Sequence, residues 1–346
     1  MTGRVAILGA GAMGSALATP YRAAGWDVAL WGTWLDDHLL AACRAGEPHP
    51  RTGVLLAPGT ELFDSDRLGD ALNGADVAVL AIASVGVVDV ARMALHGLAR
   101  TRALLLTSKG FAPDGDGRVR LLPDALRELA AGEGAELPPI VAIGGPCKAN
   151  EVAAGRWTAT IFGCRERAVA EEAARTLGTD AYRAEATDDE PGVEICAPMK
   201  NVYALALGLA DGLGERDGEP AHDLKAAAFA QAVRELVVLT GLVGGRTETA
   251  TGLAGVGDLE VTGLSGRNKV YGSRIGWGET PSAALEAMTA AEQTVEGVPA
   301  ARLARDLVDQ RDDAAWPSLP LLTAILAILD DDPDPVARVV DAVLPG

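Results

Sequence analysis

Residues 5–14 read VAILGAGAMG, a short apolar run that stops at Gly9, Gly11 and Gly14 in GxGxxG spacing, with a helix-like stretch, residues 15–24, directly behind it. Strand, glycine turn and helix in that order mark the opening of a dinucleotide-binding α/β fold. The first glycine permits the tight turn, the second lets backbone approach a pyrophosphate, and the third lets the helix pack closely on the strand. The helix N-terminus adds N–H donors and partial positive charge. Taken alone, such a motif is also compatible with a glycine-rich turn that holds no ligand; the flanking strand and helix are what argue for one.

At 346 residues the chain exceeds what a single core covers, so two domains are expected. Hydrophobic residues make up 49% and charged residues only 23%, the balance of a well-buried globular protein rather than a disordered one. The formal net charge of -18 opposes non-specific binding to nucleic acid and repels anionic substrates unless the site is locally basic. Any phosphate site must then be built from a few placed cations. Cys43, Cys147, Cys164 and Cys196 form no CxxC pair, and no signal-peptide pattern opens the chain, which points to a reducing, cytoplasmic setting. The longest apolar stretches, such as residues 202–210, read as too short to span a bilayer, so no membrane insertion is expected. His38, His49, His96 and His222 lack metal-ligand spacing, and no metal is expected.

Residues 27–32, 76–83, 103–107 and 140–143 read as further buried strands separated by helical segments, which predicts a mostly parallel, doubly wound sheet. Residues 158–163 add a possible strand, residues 168–177 a helix, and the charged, Pro-containing stretch 186–192 the best boundary. Residues 1–190 are therefore read as an α/β domain and 191–346 as an all-helical one. In the second, Ile195, Met199, Val202, Ala206 and Leu209 recur at helical spacing, with Pro198 either starting the regular helix or kinking it. Residues 226–242, 280–288, 299–309 and 320–329 supply more helices.

Lys200 stands almost alone among small and apolar residues, sharing residues 193–210 with only one other charge, Glu194. It reads either as a cleft-wall lysine able to exchange a proton with a substrate oxygen or as a stem lying on the apolar face with its ammonium in water. Lys109 follows the ALLLT strand, at the carboxyl end where parallel sheets bind ligands, although surface lysines are common there. Residues 144–151, GGPCKANE, are small and expose backbone, as a ligand-lining loop or an ordinary turn would. Residues 251–268, TGLAGVGDLEVTGLSGRN, end in Arg267 and Asn268, whose donors suit an anion; Asp258 suits the holding of a lysine. A surface loop with an Asp–Arg ion pair is the plainer alternative.

Together these residues resemble the NAD(P)-dependent glycerol-3-phosphate dehydrogenase family. The resemblance rests on Gly9, Gly11 and Gly14; Ser108, Lys109 and Gly110; GGPxxANEVA; EICAPMKNV; GLAGVGDLEVT; GRN; and Val295, Glu296 and Gly297, in order along nearly the whole chain. It implies an N-terminal Rossmann domain and an all-α C-terminal domain of the 6-phosphogluconate-dehydrogenase-like type, interconverting dihydroxyacetone phosphate and sn-glycerol 3-phosphate. By resemblance Lys200 is the proton donor and acceptor, with Lys109, Asp258 and Thr262 in the catalytic network. Lys109, Gly145, Cys147, Asn201, Arg267 and Asn268 then contact substrate. Gly9, Gly11, Ala12, Met13, Gly14, Thr33, Lys109, Ala149, Arg267, Thr294 and Glu296 face the dinucleotide. A homodimer is the implied assembly.

Several positions depart from the family pattern. Cys147 and Lys148 replace Ser-Phe, Asp223 and Gln231 replace expected donors after the longer loop 215–222, and Pro198 and Gly266 are further changes. Thr33 is neither the acid that binds ribose hydroxyls nor the arginine that accepts a 2′-phosphate, while Asp36 and Asp37 just beyond incline the choice between NAD and NADP towards NAD. These departures keep two other readings open: a dehydrogenase for another phosphorylated polyol or hydroxy acid, and a dinucleotide-binding regulator without turnover.

Overall fold

The computed structural model describes residues 3–345. The chain divides into two compact units, one formed by the chain up to Ala112 together with Leu121–Glu194, the other by Pro113–Arg120 together with the chain from Ile195 onward. The change of unit thus falls a few residues beyond the sequence boundary, and a short excursion at 113–120 belongs to the second unit.

Strands β1 (Arg4–Leu8), β2 (Asp27–Trp31), β3 (Glu61–Phe63), β4 (Val77–Leu80), β5 (Ala103–Leu106), β6 (Phe111–Pro113), β7 (Val119–Leu121), β8 (Ile140–Gly144), β9 (Thr158–Gly163) and β10 (Tyr182–Thr187) alternate with helices. These are α1 (Ala12–Ala23), α2 (Asp37–Arg44), α3 (Leu68–Leu72), α4 (Ser84–Leu98), α5 (Leu122–Gly132), α6 (Ala149–Ala153) and α7 (Arg167–Leu177). The sheet order is β10-β9-β8-β5-β4-β1-β2-β3, with β6 and β7 paired separately. Read from β3 to β8 this is the doubly wound Rossmann order, whose switch point lies between β1 and β4. Val5, Ile7, Val28, Leu30, Val77 and Val79 enter the core on one face, and Ala6, Leu8, Ala29, Trp31, Ala78 and Leu80 the core on the other. Burial on both faces explains why the strands read as unbroken apolar runs.

The pairing of β8 with β9 is antiparallel. The short helix α6 lies in the connection between them. The sequence reading passed over β3, the β6–β7 pair and β10. Strand β10 is an edge strand whose residues alternate between buried and solvent-facing, so YRAEAT carries no apolar run. Part of the expected 186–192 boundary is in fact regular structure, the end of β10 and the first turn of the next helix.

The second unit is helical: α8 (Glu190–Asp217), most of which belongs to it, α9 (His222–Leu242), α10 (Thr247–Thr251), α11 (Asp258–Leu264), α12 (Arg267–Trp277), α13 (Pro281–Ala290), α14 (Gly297–Arg311), α15 (Pro320–Leu329) and α16 (Pro335–Val343). Pro198 lies inside α8, which continues through it. This 28-residue helix is long and apolar enough by composition to cross a membrane, contrary to the estimate from residues 202–210, but its apolar window is wholly buried in the fold. The apolarity is that of a core helix.

What packs against α8 is the backbone of α12. A methyl at Gly208 or Gly212 would fall 2.0 and 1.9 Å from the carbonyl oxygens of Lys269 and Ser273, and one at Gly272 or Gly276 would fall 2.0 Å from those of Leu205 and Leu209. Two glycine pairs at four-residue spacing, one on each helix, therefore interlock, and interaxial distance depends on the side chains at such a contact. Gly272→Val is expected to destabilise the protein by about 3 kcal/mol through overpacking. A thermal or urea melt indistinguishable from that of the unsubstituted protein would contradict this reading of the contact.

Candidate active site

In the first unit, candidate residues lie at the carboxyl ends of β1, β2, β4, β5 and β8. Gly9 has φ +114°, and its N–H donates to the Trp31 carbonyl at 2.8 Å. A side chain there would meet the Ala81 carbonyl oxygen at 2.5 Å, and one at Gly14 would lie 1.9 Å from the Gly9 oxygen. Those two glycines are filled in by protein. Gly11, at the N-cap of α1, is different: a Cβ there would clash with nothing and would meet only Arg51 Nη1, at 3.8 Å. Gly11, Ala12 and Met13 are half-buried and leave the α1 N-terminus approachable. A turn closed on two sides and open at its middle glycine fits the pyrophosphate of a dinucleotide.

At the end of β2 the Asp36 carboxylate is buried, accepting hydrogen bonds from Thr33 N and Thr33 Oγ1, both at 2.9 Å, and from Ala10 N at 3.4 Å. It closes the turn internally. Asp37, in contrast, is exposed at the start of α2.

Lys109 is half-buried after β5. Its neighbours are pinned: Ser108 Oγ donates to the Ile82 carbonyl at 2.6 Å, and a Cβ at Gly110 would come within 2.4 Å of Ser84 Cβ. Glu194 is buried nearby with no partner for Oε2 among the described residues. Burial above all, then the charges of Glu190 and Asp124, push its carboxyl well above the usual range, against the pull of Arg127 and Lys109. Glu190, four residues earlier, is paired with Arg127 through bonds of 2.7 and 2.5 Å and with Arg165 at 3.1 Å. Nothing in the sequence pattern distinguished the paired acid from the one with an unpartnered oxygen.

In the GGPCKANE loop, Gly145 has φ +100° and sits 3.2 Å, measured from a built Cβ, from Thr160 Cα. Cys147 is half-buried against the sheet core, beside the hydroxyls of Tyr21 and Tyr182, which burial chiefly and Cys147 secondarily push upward. Ala149 opens α6, which is tied to α1 by the Thr19 hydroxyl donating to the Ala153 carbonyl at 3.1 Å.

In the second unit, Lys200 is only 7% exposed and its Nζ donates to Oδ1 of the fully buried Asp258. A π-helical turn, Leu253–Gly257, delivers that aspartate, with Gly257 N donating to the Gly252 carbonyl at 3.1 Å. The glycines of GLAGVGD serve this turn: a Cβ at Gly255 would fall 1.8 Å from the Ala250 oxygen. Thr262 donates its hydroxyl to the Asp258 carbonyl at 2.6 Å, one helical turn back. Beside Lys200, Asn201 donates to Glu296 at 3.2 Å; Glu296 also holds Arg267 at 3.3 Å, and Gly297 N donates to Asn268 Oδ1 at 2.8 Å. Asn201, Arg267, Asn268 and Glu296 are thereby brought together from α8, α12 and the start of α14. Arg267 remains half-exposed, while Thr294 is exposed just ahead of Glu296. Gly266, which precedes Arg267, has φ +149° and ψ 161°, a conformation open only to glycine.

Comparison with known proteins decides the family. The N-terminal model of NAD-dependent glycerol-3-phosphate dehydrogenase matches residues 4–170 and its C-terminal model residues 189–339. The chain belongs to the NAD-dependent glycerol-3-phosphate dehydrogenase family. An NADP(+)-dependent glycerol-3-phosphate dehydrogenase of Archaeoglobus fulgidus is 36% identical over 82% of each chain. A glycerol-3-phosphate dehydrogenase [NAD(P)+] of Rhodospirillum rubrum is 32% identical over 98% of this chain and 91% of its own. The crystal structure of the Coxiella burnetii glycerol-3-phosphate dehydrogenase, 28% identical, superposes with a TM-score of 0.84 over 99% of both chains. The chain is accordingly an NAD(P)-dependent oxidoreductase of the glycerol-3-phosphate dehydrogenase type, with the Rossmann and all-helical fold that the resemblance implied.

Two departures from the glycerol-3-phosphate dehydrogenase pattern have structural explanations. Asp223 is exposed on the first turn of α9. Gln231 is buried and donates to Glu235 at 2.9 Å; Glu235 in turn accepts from Tyr203 OH at 3.0 Å and from the N–H groups of Leu321 and Leu322 at 2.5 and 2.9 Å. Glu235 thus caps the start of α15, whose own N-cap, Leu319, supplies no side-chain bond. Burial pushes this carboxyl up, and the four hydrogen bonds oppose that.

Glu235→Ala leaves two backbone N–H groups and a hydroxyl buried without partners and is expected to cost at least about 3 kcal/mol, read from the urea midpoint. For Glu194 the expectation concerns pH. The folded protein keeps this proton where the unfolded chain has lost it, so the carboxyl weakens folding as pH rises above about 4.3. Glu194→Gln removes that loss, and its Tm relative to the unsubstituted protein should climb between about pH 5 and about pH 8. A flat difference across that range would refute the assignment.

Proposed function

We infer that the protein interconverts dihydroxyacetone phosphate and sn-glycerol 3-phosphate, with Lys200 as the proton donor and acceptor. The observation that carries this is the buried Lys200–Asp258 pair next to the Asn201–Glu296–Arg267–Asn268 cluster. An ammonium held in a site largely closed to water stabilises charge developing on a ketone oxygen and protonates it; in the reverse direction the amine accepts the alcohol proton. Asp258 keeps the ammonium in place. Arg267, with donors still facing solvent, and Asn268 take the substrate phosphate, and the α12 N-terminus adds its N–H groups. Lys109, Gly145, Cys147 and Thr262 keep the roles that the family resemblance implies. A nicotinamide dinucleotide, when bound, supplies the hydride.

Between NAD and NADP, the inclination towards NAD rested on Asp36 and Asp37. Asp36 is now committed to Thr33 and Ala10, so only the exposed Asp37 still supports it. A homodimer in a reducing cytoplasm completes this reading, supported by the family resemblance.

The test mixes purified protein with NADH or NADPH and dihydroxyacetone phosphate and follows nicotinamide absorbance. Rapid oxidation is expected. Oxidation only with other phosphorylated ketones or keto acids would move the substrate, and dinucleotide binding without turnover across a broad panel would make the protein a regulator. Lys200→Ala should lower kcat by about 10²–10⁴-fold with the dinucleotide Kd unchanged; undiminished turnover would remove Lys200 from the chemistry.

A further inference from the structure

The segment 49–53 is fastened to the dinucleotide turn by a histidine. His49 is 1% exposed, and its Nε2 lies 3.0 Å from the Ala10 carbonyl oxygen. The Arg51 N–H donates to Nδ1 of the same ring at 3.2 Å, so Nε2 carries the proton and donates to Ala10. The His49 carbonyl accepts from Thr52 N at 3.1 Å and Gly53 N at 2.8 Å, closing a compact turn around the ring. Ala10 sits between Gly9 and Gly11, and its N–H is already taken by Asp36. Both polar atoms of this residue are therefore held by side chains from outside the turn.

The consequence is the placement of Arg51. Its side chain is exposed and forms no ion pair with any described residue, in a chain of net charge -18 whose arginines are mostly paired. Its Nη1 stands 3.8 Å from a Cβ built on Gly11, the one glycine of the motif whose Cβ would clash with no protein atom. A guanidinium beside a helix N-terminus is suited to a phosphate.

We propose that Arg51 binds a phosphate group of the dinucleotide and that His49 is the positioning residue that holds it over the turn. The inference rests on the dinucleotide-binding reading above. The shared chemistry is a phosphate, and the two sources are the pyrophosphate, common to both cofactors, and the 2′-phosphate, present only in NADP. Neither residue belongs to the GxGxxG pattern, and neither was among the candidates drawn from the sequence.

The experiment measures Kd for NADH and for NADPH by nicotinamide fluorescence in the unsubstituted protein, Arg51→Gln, His49→Ala and the double variant, with Tm recorded for each. Arg51→Gln is expected to weaken binding tenfold or more. A loss shared by both dinucleotides assigns the pyrophosphate, and a loss confined to NADPH assigns the 2′-phosphate. His49→Ala should weaken binding in the same sense, and should change Kd less than twofold when added to Arg51→Gln. Kd values within twofold of the unsubstituted protein in Arg51→Gln overturn the proposal while leaving dinucleotide binding intact. An equal effect of His49→Ala in both backgrounds overturns the positioning role. If His49→Ala does not fold, His49→Gln replaces it in the same cycle. An unsubstituted protein that binds neither dinucleotide overturns the proposed function and this inference together.

Discussion

The contact that the helical unit of this protein depends on is made between backbones. Helices α8 and α12 approach until Gly208, Gly212, Gly272 and Gly276 lie against the carbonyls of the opposite helix, at distances that leave no room for even a methyl group. Lys200 and Asn201 sit on α8, and Arg267 and Asn268 on α12, so the spacing between these two pairs is set by that contact. Glu296 then bridges Asn201 of one helix and Arg267 of the other. A side chain at any of the four glycines would move one pair relative to the other, and misplacement of about 1 Å is enough to cost catalysis heavily.

The same device, glycine used to bring backbones together, operates in the Rossmann unit for another purpose. Gly9 and Gly14 are consumed by the protein itself, one against Ala81 and the other against the Gly9 carbonyl, while Gly11 is left facing outward. Around that opening the polar groups are accounted for. Asp36 closes the turn from one side and His49 from the other, and both residues act on Ala10. Glu235 does comparable work in the helical unit, where one carboxylate satisfies the start of α15, a tyrosine hydroxyl and Gln231. Buried acids thus have two distinct fates here: Glu235 and Glu190 are surrounded by donors, whereas Glu194 is left with an unpartnered oxygen and is driven to stay protonated.

Much of the α/β framework was legible because it obeys local rules. Strands β1, β2, β4, β5 and β8 are buried on both faces and so appear as apolar runs, and residues 158–163 and 320–329 were read with the bounds they have in the structure. What escaped was governed by position in the sheet. Edge strand β10 has one solvent-facing side, β3, β6 and β7 are three residues long each, and the antiparallel pairing of β8 with β9 has no local signature. In the site, Lys200 and Asp258 stood out as isolated charges in apolar or glycine-rich surroundings. Gln231 stood out too, as a departure from the family pattern, and nothing local showed that it was answering Glu235 rather than a ligand.

By itself the sequence determined the dinucleotide turn, the family, the helical character of the second half and the identity of the polar residues available for chemistry, because these depend on residue type at short spacing. The tertiary structure alone decided which of those residues meet. Lys200 and Asp258 are 58 residues apart in the chain, Asn201 and Glu296 95 residues, and His49 and Ala10 39 residues. No local pattern encodes such separations. They arise because burying apolar helix and sheet faces brings distant segments together, and because glycine at four positions lets two of those segments come close enough for their neighbours to form one site.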